Sequence, residues 1–123
     1  MTTIYLVRHA EAEGNLYRLV HGWYNSLITE NGYRQIAALE ERFRDIPVDA
    51  VYSSDLFRTR TTARAVYRAK NLPLRTCPGL RELNLGDWED RTFGSVRIAE
   101  PHQLDLFNRT DPAWEVENGE TFF

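Results

Sequence analysis

The sequence predicts an α/β fold, three layers with a mainly parallel sheet between helices, on three observations. Three short apolar runs, "TIYLV" (3–7), "VDAVYSS" (48–54) and "LPLRTCP" (72–78), lack the polar alternation of a half-exposed strand and suit strands covered on both faces. Two stretches with helical spacing lie between them or before the second. The order strand, helix, strand, helix, strand is that of layered α/β folds with right-handed crossovers.

Taken in order, residues 3–7 form the first strand and end on Arg8 and His9. Residues 11–28 carry neither period and contain Gly14, Asn15 and Gly22, so they form a long loop, of the kind that is functional or disordered. Residues 29–46 are a helix with Thr29 as N-cap and Ile36, Leu39, Phe43 and Ile46 at helical spacing. Gly32 weakens its first turn. The strand at 48–54 feeds a helix at 55–70, with Leu56, Ala63, Val66 and Tyr67 on one side. The strand at 72–78 follows. "LRELNLGDWEDRTFG" reads as irregular, and "EPHQLDLFNRT" (100–110) as a short helix with Pro101 in its first turn.

The 123 residues suffice for one domain that buries roughly two-thirds of its unfolded surface. An apolar share of 42% and a charged share of 27% are those of an ordinary globule. A net charge of −3 gives no reason to expect a general affinity for nucleic acid or anionic membrane. Fourteen of the fifteen basic residues are Arg, with Lys70 the exception; each Arg offers a permanent, two-pronged oxyanion fork. Cys77, the sole cysteine, forms no internal disulfide and is expected to be a buried thiol at a strand end. No run is long enough to span a membrane and the N-terminus is unlike a signal peptide, so a cytoplasmic location is expected.

In open parallel sheets ligands bind beyond the carboxyl ends of the strands. Arg8 and His9 end the first strand; Ser53, Ser54 and Asp55 end the second, with Arg58 one turn into the next helix; Glu82 follows the third. Three remote segments thus place polar groups on one edge. His9 is the candidate nucleophile toward phosphorus, since a neutral imidazole attacks well once its other nitrogen donates to a fixed acceptor. Arg8 and Arg58 are candidate phosphate ligands, the latter near a helix N-terminus. Glu82 is the candidate acid for a leaving oxygen, with an ion pair to Arg81 or another Arg as the alternative. His21 and Gly22, in the long loop, are candidate pocket residues. His9, His21 and His102 show no metal-ligand spacing. Trp23, Tyr24 and Trp88 are expected to pack rather than to stack on a ligand.

Together these segments resemble the histidine phosphatase superfamily, the phosphoglycerate-mutase-like fold. "LVRHAEAEGN" looks like its strand-to-RHG motif, with Ala10 where Gly is usual; "SLITENGYRQ" is similar to "PLTxxGxxQ", with Leu27 in the Pro place. "SSDLFRTRTTA" resembles "SSDLxRAxxTA", "LRELNLGDWED" resembles "LREINFGxWEG", and "ENGET" looks like "GGES". The resemblance implies phosphoryl transfer through phosphohistidine at His9, with Arg8, Asn15 and Arg58 on the phosphate, Glu82 as acid, and neither metal nor other cofactor. It implies a small phosphorylated metabolite as substrate, either α-ribazole-phosphate-like or of broad specificity. The wording is closer to the phosphatase branch than to the mutase branch; a mutase and a non-catalytic phosphate-binding remnant are the alternatives. The resemblance covers about the first three-fifths of the family's domain and stops before its second site histidine. Such a chain is expected to be a weak catalyst by itself, restored by the remaining segment. It is also expected to leave residues 3–7 as a sheet edge open to self-association.

Overall fold

The computed structural model describes all of residues 1–123. It contains five α-helices and a two-stranded parallel sheet: α1 (Glu13–Leu16), α2 (Glu30–Phe43), β1 (Val51–Ser53), α3 (Phe57–Tyr67), β2 (Leu74–Thr76), α4 (Phe93–Ala99) and α5 (Pro101–Asn108). Single 3₁₀ turns lie at Pro78–Leu80 and Gly86–Trp88. β1 pairs with β2 in register Val51–Leu74, Tyr52–Arg75 and Ser53–Thr76. The α/β class is as expected, but the sheet has two strands rather than three.

The missing strand is the first. Residues 1–10 make no main-chain to main-chain hydrogen bond. Ile4 is 76% and Leu6 95% exposed. A strand exists only as a member of a ladder, and one edge of β1 takes β2 while no segment of the chain pairs with the other. The segment is instead held by side chains: the Tyr5 and Phe43 rings meet edge to face at 5.4 Å, and the Ala10 amide donates to Thr62 Oγ1 at 2.9 Å.

α2 begins as its cap predicts, with Thr29 Oγ1 accepting from the Gly32 amide at 3.0 Å. α3 buries Arg58, Thr61, Thr62, Ala65 and Val66, one stripe at i, i+3, i+4, i+7 and i+8. That stripe is polar at its N-terminal end, where it approaches the edge carrying His9. The long loop is ordered: Ala12 bridges Ile28, and the Glu13 amide donates to the Leu27 carbonyl at 2.8 Å.

The larger core lies away from the sheet. Val20, Leu85, Trp88, Val96, Leu104, Leu106 and Trp114 form it, with Phe93, Phe107 and Phe122 against it. Trp114 meets Phe122 at 4.8 Å and Phe107 at 5.2 Å between ring centroids. So the stretch after Glu82, irregular in sequence, holds α4 and much of the buried apolar surface. Cys77 is exposed rather than buried: it follows β2, an edge strand whose Arg75 and Thr76 are exposed as well. No helix is long and apolar enough to cross a membrane.

Candidate active site

The unpaired N-terminal segment, the turn after β1 and the turn after β2 meet at one cavity of about 320 Å³. Arg8, His9, Arg58 and Glu82 all line it, together with Ser54, Thr59 and Arg81. The convergence arises because β1 and β2 run parallel and end on the same side, while the Ala10–Thr62 bond brings the end of the N-terminal segment to α3.

His9 Nδ1 lies 2.7 Å from the Ala10 carbonyl. A carbonyl oxygen only accepts, so Nδ1 carries the proton and Nε2 keeps its lone pair. Burial pulls the His9 pKa below its usual 6.5, and Arg58 and Arg8 push the same way, against the Ala10 bond and Glu82. The ring is therefore neutral at pH 7, with its free nitrogen unprotonated.

Arg58 is 2% exposed. Its Nη1 donates to the Tyr24 carbonyl at 2.9 Å, and its Nη2 to the carbonyls of His21 and Gly22 at 2.8 and 2.7 Å. Nε has no partner within the protein. The guanidinium thus ties the loop at 21–24 to the head of α3 and lines the cavity as well. Arg8 is exposed and makes no ion pair. Glu82 is also exposed; its Oε1 accepts from the Leu83 amide at 3.0 Å. The expected Arg81 partner is elsewhere: Arg81 grips Asp55 through two bonds, at 2.6 and 2.5 Å, which leaves Glu82 unpaired. Asp55 is held below the usual carboxylate range by those bonds.

Asn15, His21 and Gly22 do not line the cavity. Asn15 Oδ1 accepts from the Ala12 amide at 3.0 Å and its Nδ2 faces His21 Nε2 at 3.3 Å. The His21 ring stands 5.9 Å from that of His9, nearly perpendicular at 84°. Gly22 packs so closely on the Leu83 carbonyl that any Cβ there would overlap it, which presses the loop onto the segment carrying Glu82.

Glu89, not singled out in sequence, is the second clamp on this loop. Its Oε1 accepts from the amides of Trp23 at 2.7 Å and Leu85 at 3.1 Å, and its Oε2 from that of Tyr24 at 3.0 Å. Trp23 adds a third tie through its Nε1–H to the Glu82 carbonyl at 2.8 Å, with the Arg81 guanidinium 4.7 Å above its ring. The only hint was the acidic residue after Trp88 in "GDWE". Trp88 is fully buried, as expected, whereas Trp23 is 39% exposed.

The three segments therefore bring a neutral imidazole, the three arginines Arg8, Arg58 and Arg81, and one unpaired carboxyl group, that of Glu82, to a single concavity. No group of side chains is arranged to hold a metal ion. A second concavity, lined by Glu100, Gln103, Glu115, Val116 and Glu117, has carboxylates as its only charged groups and so has the wrong sign for an oxyanion.

Residues 4–123 match the family described as the histidine phosphatase superfamily (branch 1). Over 122 residues the chain is 37% identical to a protein of Yersinia pestis named "Probable phosphoglycerate mutase GpmB", covering 98% of this chain and 56% of that one. Among solved structures, YhfR of Bacillus stearothermophilus superposes with a TM-score of 0.86 at 32% identity, over 92% of this chain and 56% of its own. The alpha-ribazole phosphatase of Shigella flexneri superposes at 0.84 with 29% identity, over 94% and 57%. The mycobacterial glucosyl-3-phosphoglycerate phosphatase does so at 0.80 with 28% identity, over 92% and 53%. The chain thus spans just over half the length of these relatives.

Proposed function

Because the chain belongs to the histidine phosphatase superfamily, branch 1, we propose that it carries the nucleophile-bearing part of a phosphomonoester hydrolase. His9 Nε2 attacks phosphorus, a P–N bond forms, and the ester P–O bond breaks. Glu82 gives its proton to the leaving oxygen, while Arg8 and Arg58 offset charge on the phosphoryl oxygens. Water then cleaves the phosphohistidine, releasing phosphate. The step asks for no metal or other cofactor. The observation that carries this reading is the 2.7 Å bond from His9 Nδ1 to the Ala10 carbonyl, within a cavity shared by Arg8, Arg58 and Glu82. It supports a nucleophilic Nε2 facing a basic concavity.

The substrate class on this reading is a small phosphorylated metabolite. Support comes from the alpha-ribazole and glucosyl-3-phosphoglycerate phosphatases that share the fold. Transfer to a second hydroxyl, as in a mutase, is the other reading, and the likeness to the Yersinia protein favours it. Rapid-quench trapping with p-nitrophenyl phosphate, on wild type and His9→Ala, tests both. A phosphoryl group mapped to residue 9 and absent from His9→Ala is expected. Equal turnover by the two proteins would end the enzymatic reading in favour of a phosphate-binding module. Inorganic phosphate as the product separates a hydrolase from a mutase.

A further inference from the structure

We propose that His21, although it lies outside the cavity lining, is the positioning residue that sets the plane of the His9 ring. The proposal rests on the nucleophile reading above, but its geometry is independent of it.

The chain of partners assigns the His21 proton. The Ala12 amide donates to Asn15 Oδ1 at 3.0 Å, which fixes the oxygen end of that side chain. Asn15 Nδ2, a donor only, is then the atom facing His21 Nε2 at 3.3 Å, so Nε2 accepts and is bare. The single ring proton is on Nδ1, 3.0 Å from Ser26 Oγ, and Ser26 is 2% exposed. A second proton on Nε2 would point at the Asn15 N–H groups. The charged groups around the ring oppose it further: burial first, then Arg58 and His9, with Arg8 adding and only Glu82 favouring it. The His21 pKa accordingly falls to about 4, and the ring is a neutral wall at pH 7.

The wall is also immobile. Gly14 lies directly against the ring, where any Cβ would overlap its Cγ and Nδ1. The His21 carbonyl is held by Arg58 at 2.8 Å. Backbone, both nitrogens and one side of the ring are therefore all restrained. His9, by contrast, has a single hydrogen bond, from Nδ1. One bond leaves its ring free to rock about that contact; the edge-to-face packing on His21, at 5.9 Å and 84°, supplies the second restraint. In-line attack needs both, because small misplacements of a nucleophile are costly.

The test uses the 123-residue chain with ¹⁵N-labelled histidine and phosphoramidate as the phosphoryl donor. In that labelling reaction His9 Nε2 attacks phosphorus, the P–N bond to the donor's amine breaks, and ammonia leaves. Ring ¹⁵N shifts at pH 7 are expected to show His21 and His9 each as the neutral Nδ1–H tautomer. His21→Gln, which keeps hydrogen-bonding groups but removes the ring, should shift the His9 ring resonances while its Nδ1–H tautomer is kept by the Ala10 carbonyl, and slow labelling at residue 9 by about tenfold. His21→Phe, which keeps the flat wall, should restore labelling to within about threefold of wild type. A wild-type His21 protonated at Nε2, or a His9 ring with unchanged shifts and labelling in His21→Gln, would overturn the proposal. Absence of labelling at His9 in the wild type counts against the nucleophile instead, and the His9 ring shifts in His21→Gln still decide the positioning role.

Discussion

Arg58 donates from Nη2 to the Gly22 carbonyl at 2.7 Å, and so couples the head of α3 to a loop 36 residues earlier in the chain. Two further carbonyls, of His21 and Tyr24, share the same guanidinium. A cation read from sequence as an anion ligand is thus also the main fastener of the loop that carries His21.

Arg58→Met should therefore destabilise the fold and not merely weaken anion binding. Three carbonyl oxygens lose their donor, at a cost of about 2–4 kcal/mol. Urea unfolding measures it. A stability unchanged within about 0.5 kcal/mol would mean that the loop is held by other contacts.

Glu89→Ala should free the amides of Trp23 and Tyr24, whose acceptor it is. Hydrogen exchange at those two amides should quicken markedly, while α5 amides stay protected. Glu89→Gln, which keeps one acceptor oxygen, should fall between the two.

Acid should weaken the fold through its histidines. The His9 and His21 pKa values lie below the ordinary 6.5, that of His21 at about 4, so between pH 6.5 and 4 the unfolded chain binds protons that the folded one excludes. Stability is fully present above pH 6.5 and falls as the pH drops toward 4. For His21 the loss is about 2 kcal/mol once solvent screening of a half-open ring is allowed for. Denaturation midpoints at pH 7 and pH 4.5 check the sign, and His21→Gln should flatten the slope.

The two tryptophans near the site should behave oppositely. Trp88, fully buried among Val96, Phe107 and Trp114, should cost about 3–5 kcal/mol on replacement by Ala. Trp23→Ala, at a half-open position, should cost about 1 kcal/mol or less while loosening the hold on Glu82. Thermal unfolding of the pair distinguishes them.

Ile4 and Leu6 should drive concentration-dependent association, because they present apolar side chains on an extended segment whose main chain has no partner. Ile4→Lys combined with Leu6→Lys is expected to shift the sedimentation profile toward monomer. A wild type that is already monomeric at high concentration would refute this.

The site was legible to different depths for identifiable reasons. Arg58 and Glu82 could be placed on one edge because parallel strands end on the same side, a rule that survives a sheet of two strands; Arg8 and His9 reach that edge for a different reason, the Ala10–Thr62 bond, since the segment before them is no strand. The run at 3–7 was misread because apolar patterning reports what a segment can bury, not whether a neighbour exists to pair with it. The Arg81–Asp55 pair was missed because the two are 26 residues apart and only the turn geometry after each strand brings them together. Glu89 was missed because its role is to accept from three amides, and sequence spacing does not record main-chain direction. α4 was missed because its cap, Thr92 accepting from the Ser95 amide at 3.0 Å, follows a stretch whose Asp and Gly residues read as loop. Bulk predicts packing for Trp23, Tyr24 and Trp88 alike, and of the three only Trp88 is buried, Trp23 and Tyr24 being 39% and 38% exposed.

The extended segment before Ala10 has one last consequence. A protease that recognises arginine needs an accessible stretch of substrate, and residues 1–8, exposed and without main-chain hydrogen bonds, lead up to the peptide bond between Arg8 and His9. Digestion at that bond would leave the imidazole on a new amino terminus, so resistance of this one bond to trypsin becomes a gauge of whether something has come to lie alongside residues 3–7.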